Sequence, residues 1–233
     1  MFTLDSSARS TTVQLDDPDY SLQIERSSDF QAYRSRAREK EPWTYEWLKD
    51  FDSNTLFYDV GACVGSYSLM AAARGATVIA FEPLRENVRG LVQNIHLNNL
   101  ADNVTIVESA VSDQPLSMHV HDAKGGLPAG YGLGSLLPVR NQTKEVEVMT
   151  VTLDAAAELY GYPTHIKIDV EGAEDLVLIS GLDVLNKVQS VIVEIADDDT
   201  ERYLGWLMAS GGLTGREVGN RRTMEQRTKV YER

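Results

Sequence analysis

The chain reads as an α/β protein built on a doubly wound, Rossmann-like sheet of seven strands. Three observations predict this. From Thr55 onward, short apolar runs alternate with amphipathic stretches, as in a parallel sheet covered by helices on both faces. The run Leu56-Phe57-Tyr58-Asp59-Val60 stops at a glycine-bearing turn, Gly61 to Gly65, before a helix start at Ser66, the junction that forms a nucleotide-sized crevice at a sheet's carboxyl edge. The 233 residues, 42% of them hydrophobic, suffice for one sizeable core.

The elements follow in order. Residues 1 to about 27 are polar and weakly patterned, a short strand pair or an arm. A helix follows, with Ser28 or Asp29 as cap, and Pro42 restarts a short helix through Trp43, Tyr45, Trp47 and Leu48. Residues 1–54 are thus an N-terminal helical extension, and residues 55–233 the main domain. The first sheet strand is Leu56–Val60, and its helix runs from Ser66 to about Arg74, where Gly75 ends it. The second strand, from Ala76, ends at Phe81. Leu84, Val88, Leu91, Val92 and Ile95 then mark one apolar helix face. The third strand is 104–108. Residues 114–153 break the rhythm: two extended runs, 116–121 and 145–151, flank a glycine-rich loop, and predict a β-hairpin insertion. The loop glycines fit a flexible tip better than a phosphate cradle, because no strand-to-helix junction frames them. A helix over 154–160 leads to the fourth strand, 165–170. A turn at Glu171-Gly172 starts a helix over 173–180, and the fifth strand is 190–195. A helix bearing Leu204, Leu207 and Met208 precedes two closing antiparallel strands, 213–218 and 228–231.

Composition narrows the function. A formal net charge of −13 repels phosphate backbones, so neither DNA nor RNA is the expected substrate. The lone cysteine, Cys63, permits no intrachain disulfide and suits a reducing compartment. The start has neither a basic n-region nor an apolar run, and no window approaches a membrane span. A cytoplasmic protein is expected, with no membrane partner and with room for a homo-oligomer.

The first turn discriminates between cofactors. A dinucleotide fold uses G-x-G-x-x-G so that bare backbone meets a pyrophosphate. Counting from Gly61, the second and third glycine positions hold Cys63 and Ser66. Asp59 also places a carboxylate where phosphates would sit, whereas an ammonium group tolerates it through charge-assisted hydrogen bonding. Glu82, closing the second strand, can accept hydrogen bonds from ribose hydroxyls. Together these favour S-adenosyl-L-methionine over NAD. Glu108, Ser109 and Ala110, at the exit of the third strand, are candidates for reading the adenine. The alternatives are a solvated strand end for Glu82, a capping carboxylate beside the turn for Asp59 and, on an even footing with adenine contact, an ordinary strand exit for Glu108.

Asp59-Val-Gly-Ala-Cys-Val-Gly-Ser-Tyr-Ser68, Phe81-Glu82-Pro83, Asn87, Ser109-Ala-Val-Ser112 and above all Ile166-Lys-Ile-Asp-Val-Glu-Gly-Ala-Glu174 resemble the FkbM-type S-adenosylmethionine-dependent methyltransferases, over about residues 55–196. The resemblance implies a class I methyltransferase fold and methyl transfer to a hydroxyl oxygen of a sugar or natural product. It implies cofactor contacts at Asp59, Gly61, Ala62, Gly65, Ser66, Tyr67, Glu82, Pro83, Asn87, Glu108, Ser109, Ala110 and Asp169. Cys63 stands where such turns commonly carry asparagine.

The catalytic candidates lie on the fourth strand. A central parallel strand should be nearly all apolar, yet His165, Lys167 and Asp169 alternate and share one face. A buried Lys and Asp must be paired, and Glu194 on the fifth strand is a further partner. Asp169 and Glu171 stand at the carboxyl edge, with Asp169 read as holding the cofactor's amino-acid end or the acceptor, and Glu171 as general base. Lys167 is either part of that machinery or half of an internal ion pair. His119 and His121 share a strand face without completing a ligand set, and a Mg²⁺ on Asp169 and Glu171 is only weakly indicated, so no metal is expected. Trp43, Tyr45 and Trp47 read as packing more readily than as a lid, and Arg216, Arg221, Arg222 and Arg227 as a solvated hairpin more readily than as an anion site. The expected acceptor is a small hydroxylated molecule. The competing readings are an NAD-linked oxidoreductase, a non-catalytic cofactor-binding domain and a nucleic-acid methyltransferase.

Overall fold

The structure, a computed structural model, describes residues 11–26, 29–113, 116–123, 134–135, 143–170, 172–195, 198–221 and 226–233. The chain opens with an antiparallel pair, β1 (Thr11–Gln14) and β2 (Gln23–Arg26), and three short helices, α1 (Asp29–Arg34), α2 (Ala37–Lys40) and α3 (Pro42–Leu48). Pro42 opens α3, a position where its missing N–H costs nothing. The alternating part then begins with β3 (Leu56–Val60), α4 (Ser66–Ala73), β4 (Thr77–Phe81), α5 (Arg85–Leu97) and β5 (Val104–Val107).

The insertion holds β6 (Ala110–Val111), β7 (Leu116–Ala123), β8 (Gly134–Ser135) and β9 (Thr143–Val151). β7 and β9 pair antiparallel, which is the expected hairpin. β6 adds to β9 in parallel and β8 adds to β7, so the insertion is a separate four-stranded sheet. Two-residue strands carry too little periodicity to be read from sequence. The glycines at 125, 126, 130 and 132 lie outside the described residues.

After α6 (Leu153–Tyr160) come β10 (His165–Ile168), α7 (Glu174–Ile179), α8 (Leu182–Leu185), β11 (Ser190–Ile195), α9 (Asp198–Ser210), β12 (Thr214–Arg221) and β13 (Gln226–Glu232). The seven-stranded sheet has the order β12-β13-β11-β10-β3-β4-β5. Five strands, β11 to β5, run parallel, and β13 and β12 close one edge antiparallel. The order reverses between β3 and β10, and ligands of open α/β sheets bind outside the strand ends at such a point.

One sheet face is apolar. Tyr58, Val60, Ile166, Ile168, Val191 and Val193 pack there under α6, α7 and α9 through Leu153, Val177 and Leu204. On the other face, Phe57, Val78 and Ala80 meet α4, α5 and the N-terminal segment through Leu69, Leu91, Leu48 and Ile24. By strand alternation that second face also carries Asp59, Lys167 and Glu194.

Candidate active site

The first turn is built by close backbone contact. Gly61 has φ +87°, and a side chain there would meet the Asp169 carbonyl oxygen at 2.0 Å, so the ends of β3 and β10 touch where only glycine fits. Gly65, at φ +89°, leaves no room for a β-carbon beneath Leu91. Cys63 takes φ 54°, a left-handed conformation that asparagine and glycine adopt more readily. The Gly61 and Ala62 amides both donate to the Phe81 carbonyl at 3.0 Å, tying the turn to the end of β4.

Glu82 follows β4 and is buried. Its carboxylate accepts from the Cys63 amide at 2.8 Å, the Leu84 amide at 2.9 Å and the Asn87 side chain at 3.2 Å. Burial pushes this carboxyl up, and the three donors and the Arg34 charge oppose the shift. Asn87 thus acts as an orienting group for Glu82. Pro83 is partly buried beside it.

Asp59 is 1% exposed. Its Oδ2 accepts a hydrogen bond from Ser68 Oγ at 2.5 Å. Its Oδ1 is buried and has no partner among the described residues. Burial pushes the carboxyl up, against the pull of Lys167 and Ser68. On β10, Lys167 is the register partner of Asp59, and its Nζ lies 3.0 Å from Asp169 Oδ2 with a side chain only 5% exposed. The ammonium also stands 5.0 Å from the centroid of the Tyr67 ring. Burial raises Asp169, but the Lys167 charge, helped by a hydrogen bond with Glu194 and by Arg34, holds it well below the ordinary carboxylate range. Burial works against the Lys167 charge, and Asp169 and Asp59 together keep its pKa raised.

The remaining candidates separate. Ser66 Oγ donates to the Arg34 carbonyl at 2.9 Å and Tyr67 Oη to the Ala37 carbonyl at 3.3 Å, so these side chains hold the N-terminal segment while their amides stay at the uncapped start of α4. Glu108 lies beyond the end of β5; its side chain is half exposed and forms an ion pair with Arg85 at 3.5 Å. Ser109 is buried and Ala110 begins β6, paired with Thr150. Glu171 lies outside the described residues.

Sequence reasoning passed over Ser68, Arg34 and Glu41. Arg34 and Glu41 reach this region through tertiary packing that no spacing reveals. Trp47 packs edge-on to Phe51, Phe57 and His165, at the amino end of β10, which is the packing alternative and not a cover for the crevice. Arg227 pairs with Asp198 and Glu201, and Arg216 with Glu232; Arg222 and the side chain of Arg221 lie outside the described residues. His119 is exposed, and among the described residues no group of three His, Cys, Asp or Glu is placed to hold a metal. No helix among them is long and apolar enough to cross a membrane.

The sequence profile of the methyltransferase FkbM domain matches residues 59–221, the span that holds Asp59, the glycine turn, Glu82, Lys167 and Asp169. The chain belongs to that family. The family and the fold are those of methyltransferases, and together they imply use of S-adenosylmethionine. No functionally curated protein matches the chain in sequence. Among solved structures, the methyltransferase FkbM from Methylobacillus flagellatus KT superposes with a TM-score of 0.55 at 16% identity over 80% of this chain. The match spans 45% of that protein, so this FkbM-family chain corresponds to less than half of it. Precorrin-6y C5,15-methyltransferase from Geobacter metallireducens GS-15 gives 0.53 at 12% identity, over 95% of this chain and 98% of that one. The METTL16 methyltransferase domain gives 0.54 at 14% identity, over 95% and 86%. At these identities the likeness shows the fold, a class I methyltransferase sheet.

Proposed function

We propose that this chain transfers a methyl group from S-adenosylmethionine to a hydroxyl oxygen of a small molecule such as a sugar or natural product. The observation that carries the cofactor assignment is the Asp59 carboxylate: one oxygen is bound by Ser68 and the other is buried without a partner among the described residues. A buried acceptor of that kind is costly unless a donor arrives, and an α-ammonium group is the donor that suits it. Glu82, already oriented by three donors, offers its remaining acceptor capacity to ribose hydroxyls. The residues therefore fit the cofactor, whose contribution when bound is a methyl carbon activated by a sulfonium.

The chain's own task is then alignment and proton removal. Holding an acceptor oxygen in line contributes roughly 7–11 kcal/mol. Asp169, kept charged by Lys167, is suited to fix the cofactor's amino-acid end or an acceptor hydroxyl. Glu171, two residues beyond Asp169, is assigned as general base, a role worth about 10²–10⁴-fold. The net charge of −13 favours a small acceptor over a nucleic acid. The test is calorimetry with S-adenosylhomocysteine and with NAD, followed by a tritiated-methyl screen of hydroxylated metabolites. Heat with the first ligand and label on a hydroxylated product support the reading. Binding of NAD alone, or label on RNA alone, overturns it.

A further inference from the structure

The sheet face that carries Lys167 also floors a cavity at its amino edge, away from the crevice. The ladder sets Val230 in line with Ile192 and Lys167, and Arg216 in line with Val230. Above them, between α3 and the closing hairpin, lies a cavity of about 520 Å³ with Trp43, Trp47, Phe51, His165 and Val230 among its walls. A volume of that order suits a small molecule. His165 opens β10 and Asp169 follows its end, so the cavity stands about 13 Å from the crevice along the strand. Its aromatic walls are fixed. Trp47 donates its Nε1–H to Ser190 Oγ at 2.8 Å and packs edge-on to Phe51 and His165, with centroids 5.0 and 5.4 Å away. Trp43 lies against the backbone of β12, where a β-carbon on Gly219 would meet its ring at 2.1 Å. The ladder shifts register there, between Glu217 and Gly219, and such a bulge bends an edge strand. Walls already in place cost a ligand little ordering.

Charge selects the occupant. Glu46, Asp50, Glu217 and Glu232 line the cavity, and Arg216 is its one lining cation, 3.5 Å from Glu232. Lys49, next to Asp50, is bound to Glu46 at 2.5 Å. Lys229, opposite Glu217 in the ladder, and Arg227 are both bound by Glu201, and Arg227 by Asp198 as well. With every one of these partners counted, six carboxylates meet four cations. Burial pushes His165 down to about 4, against the pull of Glu232, so its ring adds no charge at neutral pH. Such a surround repels anions. Among the described residues no three acids, histidines or cysteines converge to hold a bare metal ion. Aromatic walls instead attract a weakly hydrated cation through their ring faces, and the surplus carboxylates add to that attraction. We propose that this cavity binds a small organic cation of the quaternary-ammonium class, at a site separate from the methyl-transfer crevice. The alkylammonium head rests against the walls formed by Trp43, Trp47 and Phe51, and the exposed Glu46 and Asp50 carboxylates supply the charge. The proposal is independent of the cofactor reading above.

Choline is the probe, titrated into the full chain at constant ionic strength and followed by the indole N–H resonances of the three tryptophans. Those of Trp43 and Trp47 shift and saturate, while that of Trp206, exposed on α9, stays in place. Dimethylbutanol, the uncharged carbon isostere of choline, binds at least about tenfold more weakly. Glu46→Gln combined with Asp50→Asn, both on the surface, weakens choline about fivefold and leaves the melting temperature unchanged. Saturating S-adenosylhomocysteine leaves choline affinity as it was. Unshifted Trp43 and Trp47 resonances at millimolar choline, equal binding of the uncharged isostere, unchanged affinity in the double variant, or displacement of choline by S-adenosylhomocysteine each overturns the proposal. Failure of S-adenosylhomocysteine to bind counts against the cofactor reading alone, because the choline titration does not depend on it.

Discussion

Replacing Asp59 with asparagine should move ligand affinity and fold stability in opposite directions. The carboxylate is buried, with Oδ2 bonded to Ser68 and Oδ1 unpartnered among the described residues. Its pKa is raised, mainly by burial. A carboxyl whose folded pKa lies above its unfolded value favours the protonated form in the fold, so its charge at neutral pH is a stability cost. An uncharged amide of the same shape removes that cost, and the melting temperature of the ligand-free protein should stay level or rise. A hydrogen bond to a charged partner contributes about 1.5–3 kcal/mol, which converts to roughly ten- to 150-fold in Kd. Calorimetry should show S-adenosylhomocysteine binding weakened by that factor in Asp59→Asn, while adenosine, which lacks the ammonium, binds as to the wild type. A variant that weakens adenosine equally has damaged the turn and not an ammonium site. One that binds S-adenosylhomocysteine unchanged refutes the role of Asp59 outright.

Three further outcomes are expected. His165 is pushed down to about 4 by burial, opposed by Glu232; the unfolded chain takes up a proton between pH 6.5 and 4 that the folded one refuses, so stability falls as pH drops through that window, by up to about 3 kcal/mol. Urea denaturation across pH should show the wild type losing that increment relative to His165→Phe, and parallel curves would contradict the burial of the ring. Glu171→Gln should cut turnover about 10²–10⁴-fold with S-adenosylhomocysteine affinity nearly unchanged; collapse of affinity with normal residual turnover would move Glu171 out of the base role. Asp17→Asn should cost about 3 kcal/mol in urea unfolding, because it leaves the buried Arg74 guanidinium, now 2.6 Å from Asp17, without its main partner; a loss below about 1 kcal/mol would put that pair in the class of surface bridges.

The part of the site that lies on contiguous motifs was legible in the chain. The strand, turn and helix around Gly61 have local causes, namely apolar runs, glycine conformations and a strand end. The alternation of His165, Lys167 and Asp169 likewise exposed a polar face on a central strand, and proximity of Glu194 followed from parallel order. What stayed hidden is tertiary. Nothing in the spacing of Asp17 and Arg74 announces a buried pair across 57 positions. Ser68 bonds Asp59 only because α4 turns its first residues over the end of β3. Glu108 was read at a strand exit, but its strand ends at Val107 and the side chain finds Arg85 outside. β6 and β8, two residues each, took their identity from neighbouring strands and not from their own sequence.

The N-terminal segment bears on the cofactor site through polar contacts and not only by apolar packing. Asn94 on α5 donates to the Val64 carbonyl in the glycine turn and accepts from the Glu25 amide of β2, each near 2.9 Å. The Arg34 and Ala37 carbonyls receive Ser66 and Tyr67 from the first turn of α4. Glu41 and Thr44 wall the cavity behind Asp169. Each of these hydrogen bonds contributes about 0.5–1.5 kcal/mol. The turn that should bind the cofactor and the N-terminal segment are therefore held in one hydrogen-bonded unit. A change in this segment must either preserve those bonds or be felt in cofactor affinity, so the packing of the N-terminal segment and the integrity of the cofactor turn do not vary independently.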